Sequence, residues 1–158
     1  MAYLERVFET EDEEVTIPNS LNLNGVFAGV LNSMPAGFTL TPAAGATNVC
    51  DVVIQAVDEN NEAMAGVFSL LVWLSDAATG VGLTGTSASG TVQAKSASGA
   101  DFSALTAKKA LMVQTLANGT YTLEITDTAK TAFYACVSGP GHGTSVTQIL
   151  ATADYGTA

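Results

Sequence analysis

Four short stretches and a pair of separate cysteines hold residue types that could do chemistry, and each has a plainer structural reading. His142, the only histidine, sits in Gly139-Pro-Gly-His-Gly143. A zinc site needs several nitrogen or sulfur ligands, and neither a second histidine nor a Cys-x-x-Cys accompanies it. As a catalytic base it would need an activated serine, and no Gly-x-Ser-x-Gly elbow occurs. An exposed loop histidine is the expectation. Gly80-Val-Gly-Leu-Thr-Gly85 matches the spacing of a dinucleotide-binding loop. That loop works by aiming the N-terminus of a helix at a pyrophosphate. Here Thr86-Ser-Ala-Ser-Gly-Thr-Val follows, which reads as loop and then strand. Asp58-Glu-Asn-Asn-Glu62 is rich in oxygen ligands but lacks the spacing of a calcium loop. A turn in which Asp and Asn side chains bond their own backbone explains it better. Asn118-Gly-Thr120 matches a glycosylation sequon, yet a turn explains the same three residues. Cys50 and Cys136 are the only cysteines and read as buried free thiols, with a single inter-sheet bridge as the alternative. No catalytic residue, cofactor or metal is expected, and the chain is not read as an enzyme.

Composition narrows the partners. Apolar residues make up 47% and charged residues only 13%, about half the usual charged share of roughly 25%. Small neutral residues fill the difference, which suits close packing against other subunits. The net charge is −10. Glu5, Glu9, Glu11, Asp12, Glu13 and Glu14 supply six of the fifteen acids, and from Val15 onward nine acids face four lysines, a net −5. Direct nucleic-acid binding needs a basic footprint and is not expected. No apolar run approaches the roughly 20 residues of a membrane-spanning helix. No basic segment followed by an apolar core marks a signal peptide, so synthesis in the cytosol with reduced thiols is expected.

The elements that must position these residues are strands. Val49–Val57 and Val67–Ser75 are runs of β-branched and aromatic residues flanking a polar loop that closes on Gly66. Further strands are expected at Val81–Thr84, Thr91–Lys95, Ala110–Leu116, Thr120–Thr126, Ala132–Val137 and Ser145–Thr152. Asn118-Gly119 lies between two alternating runs, the pattern of a type I′ hairpin. Short strands with glycine-rich turns indicate an all-β sandwich or barrel. Residues 1–46 differ. An acidic run, three prolines and scattered apolar residues read as an extended arm, with Phe27, Leu31 and Phe38 as its partner-binding anchors. An extra edge strand of the domain itself is the alternative. The expected division is an arm over 1–46 and a β-sandwich domain over 47–158.

Asp127-Thr-Ala-Lys-Thr-Ala-Phe-Tyr134-Ala-Cys136 resembles the end of an immunoglobulin-type domain, where an Asp-x-Ala turn precedes a Tyr-x-Cys strand. Trp73 follows Cys50 by 23 residues. Val-Ile-Gln-Ala-Val-Asp-Glu-Asn-Asn followed by Ala-Gly-Val is similar to the opening strands of bacterial and phage Ig-like modules. Trp73-Leu-Ser-Asp-Ala-Ala-Thr-Gly80, with Thr106-Ala-Lys-Lys-Ala-Leu and Thr126-Asp-Thr-Ala-Lys-Thr, resembles small virion proteins of tailed bacteriophages. The resemblance covers residues 47–156. It implies an Ig-like antiparallel β-sandwich with Cys50, Trp73, Tyr134 and Cys136 in its core. It also implies a capsid decoration (cement) protein, made in the host cytoplasm and bound to the outer surface of the virion head. Its partners would be the major capsid protein or other virion subunits, as a homo-oligomer or as lattice-bound copies. The alternatives are a tail or fibre module contacting host-surface glycans, or a head–tail connector component.

Overall fold

The computed structural model describes residues 34–140, 142–149 and 153–157. The side chain of His142, and the expected anchors Phe27 and Leu31, lie outside the described residues. Contacts divide the chain after Asn32, and Ser33–Ala158 forms one unit.

Nine strands are present among the described residues: β1 (Gly37–Ala44), β2 (Val49–Val57), β3 (Ser69–Ser75), β4 (Val92–Ala94), β5 (Ala100–Thr106), β6 (Ala110–Gln114), β7 (Thr120–Thr126), β8 (Tyr134–Gly139) and β9 (His142–Gln148). There is no helix among the described residues. Two antiparallel sheets, ordered β1-β2-β7-β4 and β5-β6-β3-β8-β9, pack face to face as a sandwich.

Period-2 alternation decides which side chains meet between the sheets. On the central pair of the four-stranded sheet, Cys50 lies opposite Ile125, Val52 opposite Leu123 and Ile54 opposite Tyr121, and all six are fully buried. The facing sheet contributes Leu70, Val72 and Leu74 of β3, Leu111 and Val113 of β6, and Ala135 and Val137 of β8 to the same core. Each fully buried Leu, Ile or Val contributes about 1.5–3 kcal/mol relative to exposure. Asp127 (1% exposed) closes the turn before β8. Its carboxylate accepts hydrogen bonds from the backbone N–H of Ser89 at 3.1 Å, Ala129 at 3.3 Å and Thr131 at 2.9 Å.

Several expectations are corrected. Asn118-Gly119 does not make a hairpin, because β6 and β7 belong to different sheets. Only Gly119 of the two residues has positive φ (78°), whereas a type I′ turn requires it at both. The residues form a corner that carries the chain across the sandwich. A side chain on Gly119 would collide with the carbonyl of Met64, so the β2–β3 and β6–β7 corners pack directly on each other. Gln55 ties them together by donating to Ala56 O, Asn118 O and Met64 O. Val49–Val57 and Val67–Ser75 likewise sit in opposite sheets.

The arm boundary also moves. Residues 37–44 form β1, paired along its length with β2 from Gly37↔Val57 to Ala44↔Cys50. The edge-strand alternative therefore describes this stretch. Phe38 is a core residue, 5% exposed, and its ring lies close enough to Gly139 that a Cβ there would collide with it. It is not free to anchor a partner. Val81–Thr84, expected as a strand, is irregular, and the expected loop at 96–101 runs into β5 instead.

Candidate functional site

β3 is apolar on both faces. Leu70, Val72 and Leu74 point into the core, so Leu71 and Trp73 stand on the outer face of the five-stranded sheet and are half-buried. The expected placement of Trp73 between the sheets is thus corrected by one step of the pleat. Tyr134, opposite Ser75, is half-buried and lies outside the core that Ala135 and Val137 enter. Among the described residues the deeply buried tyrosines are Tyr121 and Tyr155, the latter donating from its hydroxyl to Thr131 O at 3.0 Å.

Over the outer face runs the long β3–β4 connection, residues 76–91. Its path is fixed by polar side chains, with Ala88 reaching the core. Thr84 Oγ1 donates to Asp76 Oδ1 at 2.6 Å, and Gly85 N donates to Asp76 Oδ2 at 2.8 Å. These bonds hold the Asp76 carboxyl below its ordinary pKa, the Gly85 N–H being the larger cause. Lys109 Nζ donates to the carbonyls of Thr84 (2.8 Å) and Gly85 (3.1 Å), and Lys108 Nζ donates to those of Ala88 and Ser89. Trp73 Nε1 donates to Gly80 O at 2.9 Å. Gly80 has φ 73° and lies against the outer face, where an added Cβ would come within 3.1 Å of Cys136 Sγ and 2.9 Å of Val146 Cγ2. Gly80 of Gly80-x-Gly-x-x-Gly85 therefore serves a close approach of loop to sheet, and the residues after the motif are irregular until β4.

Between this connection and the β5–β6 end of the sheet lies a groove of about 370 Å³, lined by Leu71, Trp73, Gly80, Gly82, Leu83, Leu105, Thr106 and Ala110. Leu83 (45% exposed) and Leu105 (58% exposed) form its rims. Its only side-chain hydroxyl is that of Thr106, and it contains no titratable group. What such a surface can do is bury apolar area against another molecule.

Cys50 belongs to the core, whereas Cys136 lies beneath Gly80 on the outer face. The two thiols are on opposite sides of the five-stranded sheet and both are free. The expected placement of both sulfurs in the core thus holds for Cys50 alone. Burial, then the Asp154 charge, pushes Cys50 up to about 12, and burial pushes Cys136 up to about 11. Neither is a nucleophile near neutral pH.

The remaining sequence candidates are absorbed locally. Asp58 Oδ1 accepts from the N–H of Asn60 and of Glu62, both at 2.9 Å, closing the turn. Asn118 Oδ1 accepts from the N–H and the hydroxyl of Thr120. On the four-stranded sheet, Lys95 Nζ meets Asp51 Oδ2 at 2.5 Å, the one ion pair among the described residues. His142 opens β9 opposite Gly139 rather than sitting in a loop.

Comparison of the chain with protein-family models, with curated proteins and with solved structures finds no match in any of the three. No described helix is long and apolar enough to cross a membrane. The fold defines the class: an all-β protein of two packed antiparallel sheets.

Proposed function

We propose that this chain is a non-enzymatic structural protein of a tailed-bacteriophage virion, binding the outer capsid lattice as a decoration protein that braces the DNA-filled head. The observation that carries the reading is the groove at Leu71, Trp73, Leu83 and Leu105. It is apolar and free of titratable groups, and the loop beside it is fixed by polar bonds, one of them from Trp73 of the lining to Gly80 O. Such a surface is shaped for coverage by a partner subunit rather than for turnover of a substrate. The strand order supports the Ig-like part of the reading. β1-β2-β7-β4 against β3-β8-β9 has the neighbours of strands A-B-E-D against C-F-G in an immunoglobulin domain, with the β5–β6 hairpin added beside β3.

A tail or fibre module that contacts glycans is favoured by one feature. Trp73 in the groove offers an aromatic face to a sugar ring. Against it, Thr106 is the only lining side chain able to orient sugar hydroxyls. The test is co-sedimentation and negative-stain microscopy of the chain with expanded empty capsids of its own phage. Regular added density on the head is the expected result. Absence of binding, with retention on immobilised host glycans, would replace decoration by the second reading.

A further inference from the structure

Asn118-Gly119 carries chemistry of its own that the proposed function leaves unused. An asparagine followed by glycine can modify itself. The Gly119 nitrogen attacks Asn118 Cγ, and the new C–N bond closes a five-membered succinimide. The bond from Cγ to Nδ2 breaks, and ammonia leaves with the proton of the Gly119 amide. Water then opens the ring at one of its two carbonyls. One product is an aspartate at this position, and the other is an isoaspartyl link that routes the main chain through the side chain. Glycine favours the attack because it has no side chain to hinder a close approach. The reacting nitrogen and carbon must come within about 3–3.5 Å in the right orientation, and the nitrogen must be free to lose its proton.

The native corner withholds that freedom. Asn118 is exposed but Gly119 is buried, and the Gly119 N–H donates to Leu116 O at 2.9 Å. The backbone is fastened on both sides of the reacting bond. Gly66 N donates to Ala117 O at 2.9 Å, Ala56 N to Gly119 O at 3.0 Å, and Leu116 N to Thr120 O at 2.8 Å. Asn118 Oδ1 accepts from the Thr120 N–H at 3.1 Å and from its hydroxyl at 2.7 Å, which fixes the carboxamide in one orientation. We propose that Asn118 is a latent site of self-modification, held unreactive by the closed corner, and that a corner which opens for long enough becomes an isoaspartyl form that cannot close again. The second half follows from the packing. The isoaspartyl link adds a methylene to the main chain between the fixed carbonyls of Ala117 and Gly119. Gly119 sits at φ 78° with Met64 O filling the place of a Cβ, so the corner has no room for the longer path. An aspartate at the same position still offers Thr120 an oxygen and keeps the ordinary main chain. The site is independent of the virion reading.

The full chain is incubated at about pH 8, native and in guanidinium chloride, and peptide mapping by mass spectrometry separates the asparagine, aspartate and isoaspartyl forms. Asn24-Gly25 is the same dipeptide and is the internal standard for the unfolded sample, in which both pairs should react at like rates. In the native chain Asn118 should react at least about tenfold more slowly than in denaturant, because only the open fraction of the corner reacts. Gln55→Ala, which removes the donor to Asn118 O and Met64 O, should speed both native deamidation and Gly119 amide exchange by about two- to tenfold, the worth of a hydrogen bond. After removal of denaturant the aspartate form should recover Gly119 amide protection and the isoaspartyl form should not. A native rate equal to the unfolded rate overturns the proposal. Faster Gly119 exchange in Gln55→Ala without faster deamidation also overturns it, as does an isoaspartyl chain that regains full Gly119 protection.

Discussion

Tyr121 on β7 donates its hydroxyl hydrogen to Asp101 Oδ1 on β5 at 2.7 Å, bonding one sheet to the other at the open side of the sandwich. Tyr121 is fully buried, and burial followed by the Asp101 carboxylate drives its pKa well above the ordinary tyrosine value. Asp101 also accepts from Ala94 N on β4, so one carboxylate fastens both neighbouring end strands.

The two partners differ in what their removal leaves behind. Tyr121→Phe deletes the hydroxyl and leaves an exposed carboxylate that water can serve, costing about 1 kcal/mol. Asp101→Ala leaves a buried hydroxyl and a backbone N–H without their acceptor, costing about 2–3 kcal/mol. Urea midpoints of the two single variants and the double variant check this. The double variant is expected to lose less than the sum of the singles. Strict additivity would show that the bond contributes nothing.

Asp127 sets the acid response. Burial opposes its charge, but hydrogen bonds from Thr131 and Ser89 outweigh that and hold its pKa at about 2. A carboxylate with a depressed folded pKa adds stability above its unfolded pKa and loses it as pH falls through the folded one. The window is therefore about pH 4 down to about pH 2, and the contribution is about 2 kcal/mol. Asp127→Asn should destabilise at pH 7 and flatten the stability profile across that window. A variant with the wild-type slope there would assign the acid loss to another carboxylate.

The cysteines should be silent in the native state. With both thiols buried and raised to about 12 and about 11, a disulfide-exchange reagent at pH 8 should label neither within the time that a free thiol reacts fully. In denaturant two equivalents should react without prior reduction. One fast equivalent in the native protein would place Cys136 outside the cover of Gly80.

Much of the fold is legible in the sequence where a strand has one dry and one wet face. β2 and β7 fall at their expected bounds, because Cys50, Val52, Ile54, Tyr121, Leu123 and Ile125 alternate with polar or partly exposed neighbours. What alternation cannot supply is which sheet a strand joins. Asn118-Gly119 suits a hairpin and a corner equally, and only contact with Met64 and Gln55 decides. β5 is hidden because an edge strand with all seven residues exposed has no dry face. Val81 and Leu83 read as a strand because two exposed apolar residues two apart on an irregular connection imitate period-2 alternation. The groove itself was invisible, since Leu71 and Trp73 are as apolar as the inward residues beside them.

Trp73 turns that ambiguity into a measurement. A fully buried tryptophan costs roughly 3–5 kcal/mol on truncation to alanine. On the half-buried outer face, Trp73→Ala should cost about 2 kcal/mol. Trp73→Phe, which keeps an aromatic ring but loses the bond to Gly80 O, should cost about 1 kcal/mol. Tryptophan emission of the native chain should be accessible to a neutral quencher. A loss of the full core magnitude would return Trp73 to the space between the sheets.

The groove separates stability from attachment. Leu83 lies on the irregular connection and is 45% exposed. Its neighbours Asp76, Thr84 and Lys109 fix the loop through bonds that its side chain does not join. Leu83→Asp should therefore change stability by no more than about 0.5 kcal/mol. In the proposed bound state the same carboxylate would be forced into an apolar contact, which is costly without a partner for the charge. Attachment to capsids should fall by tenfold or more, on the order of the 1–3 kcal/mol of an unsatisfied polar group. The melting temperature and the capsid co-sedimentation isotherm of this variant, measured side by side, check both halves. Wild-type attachment with a wild-type melting temperature would remove the groove from the interface, and a collapsed melting temperature would make Leu83 a packing residue instead.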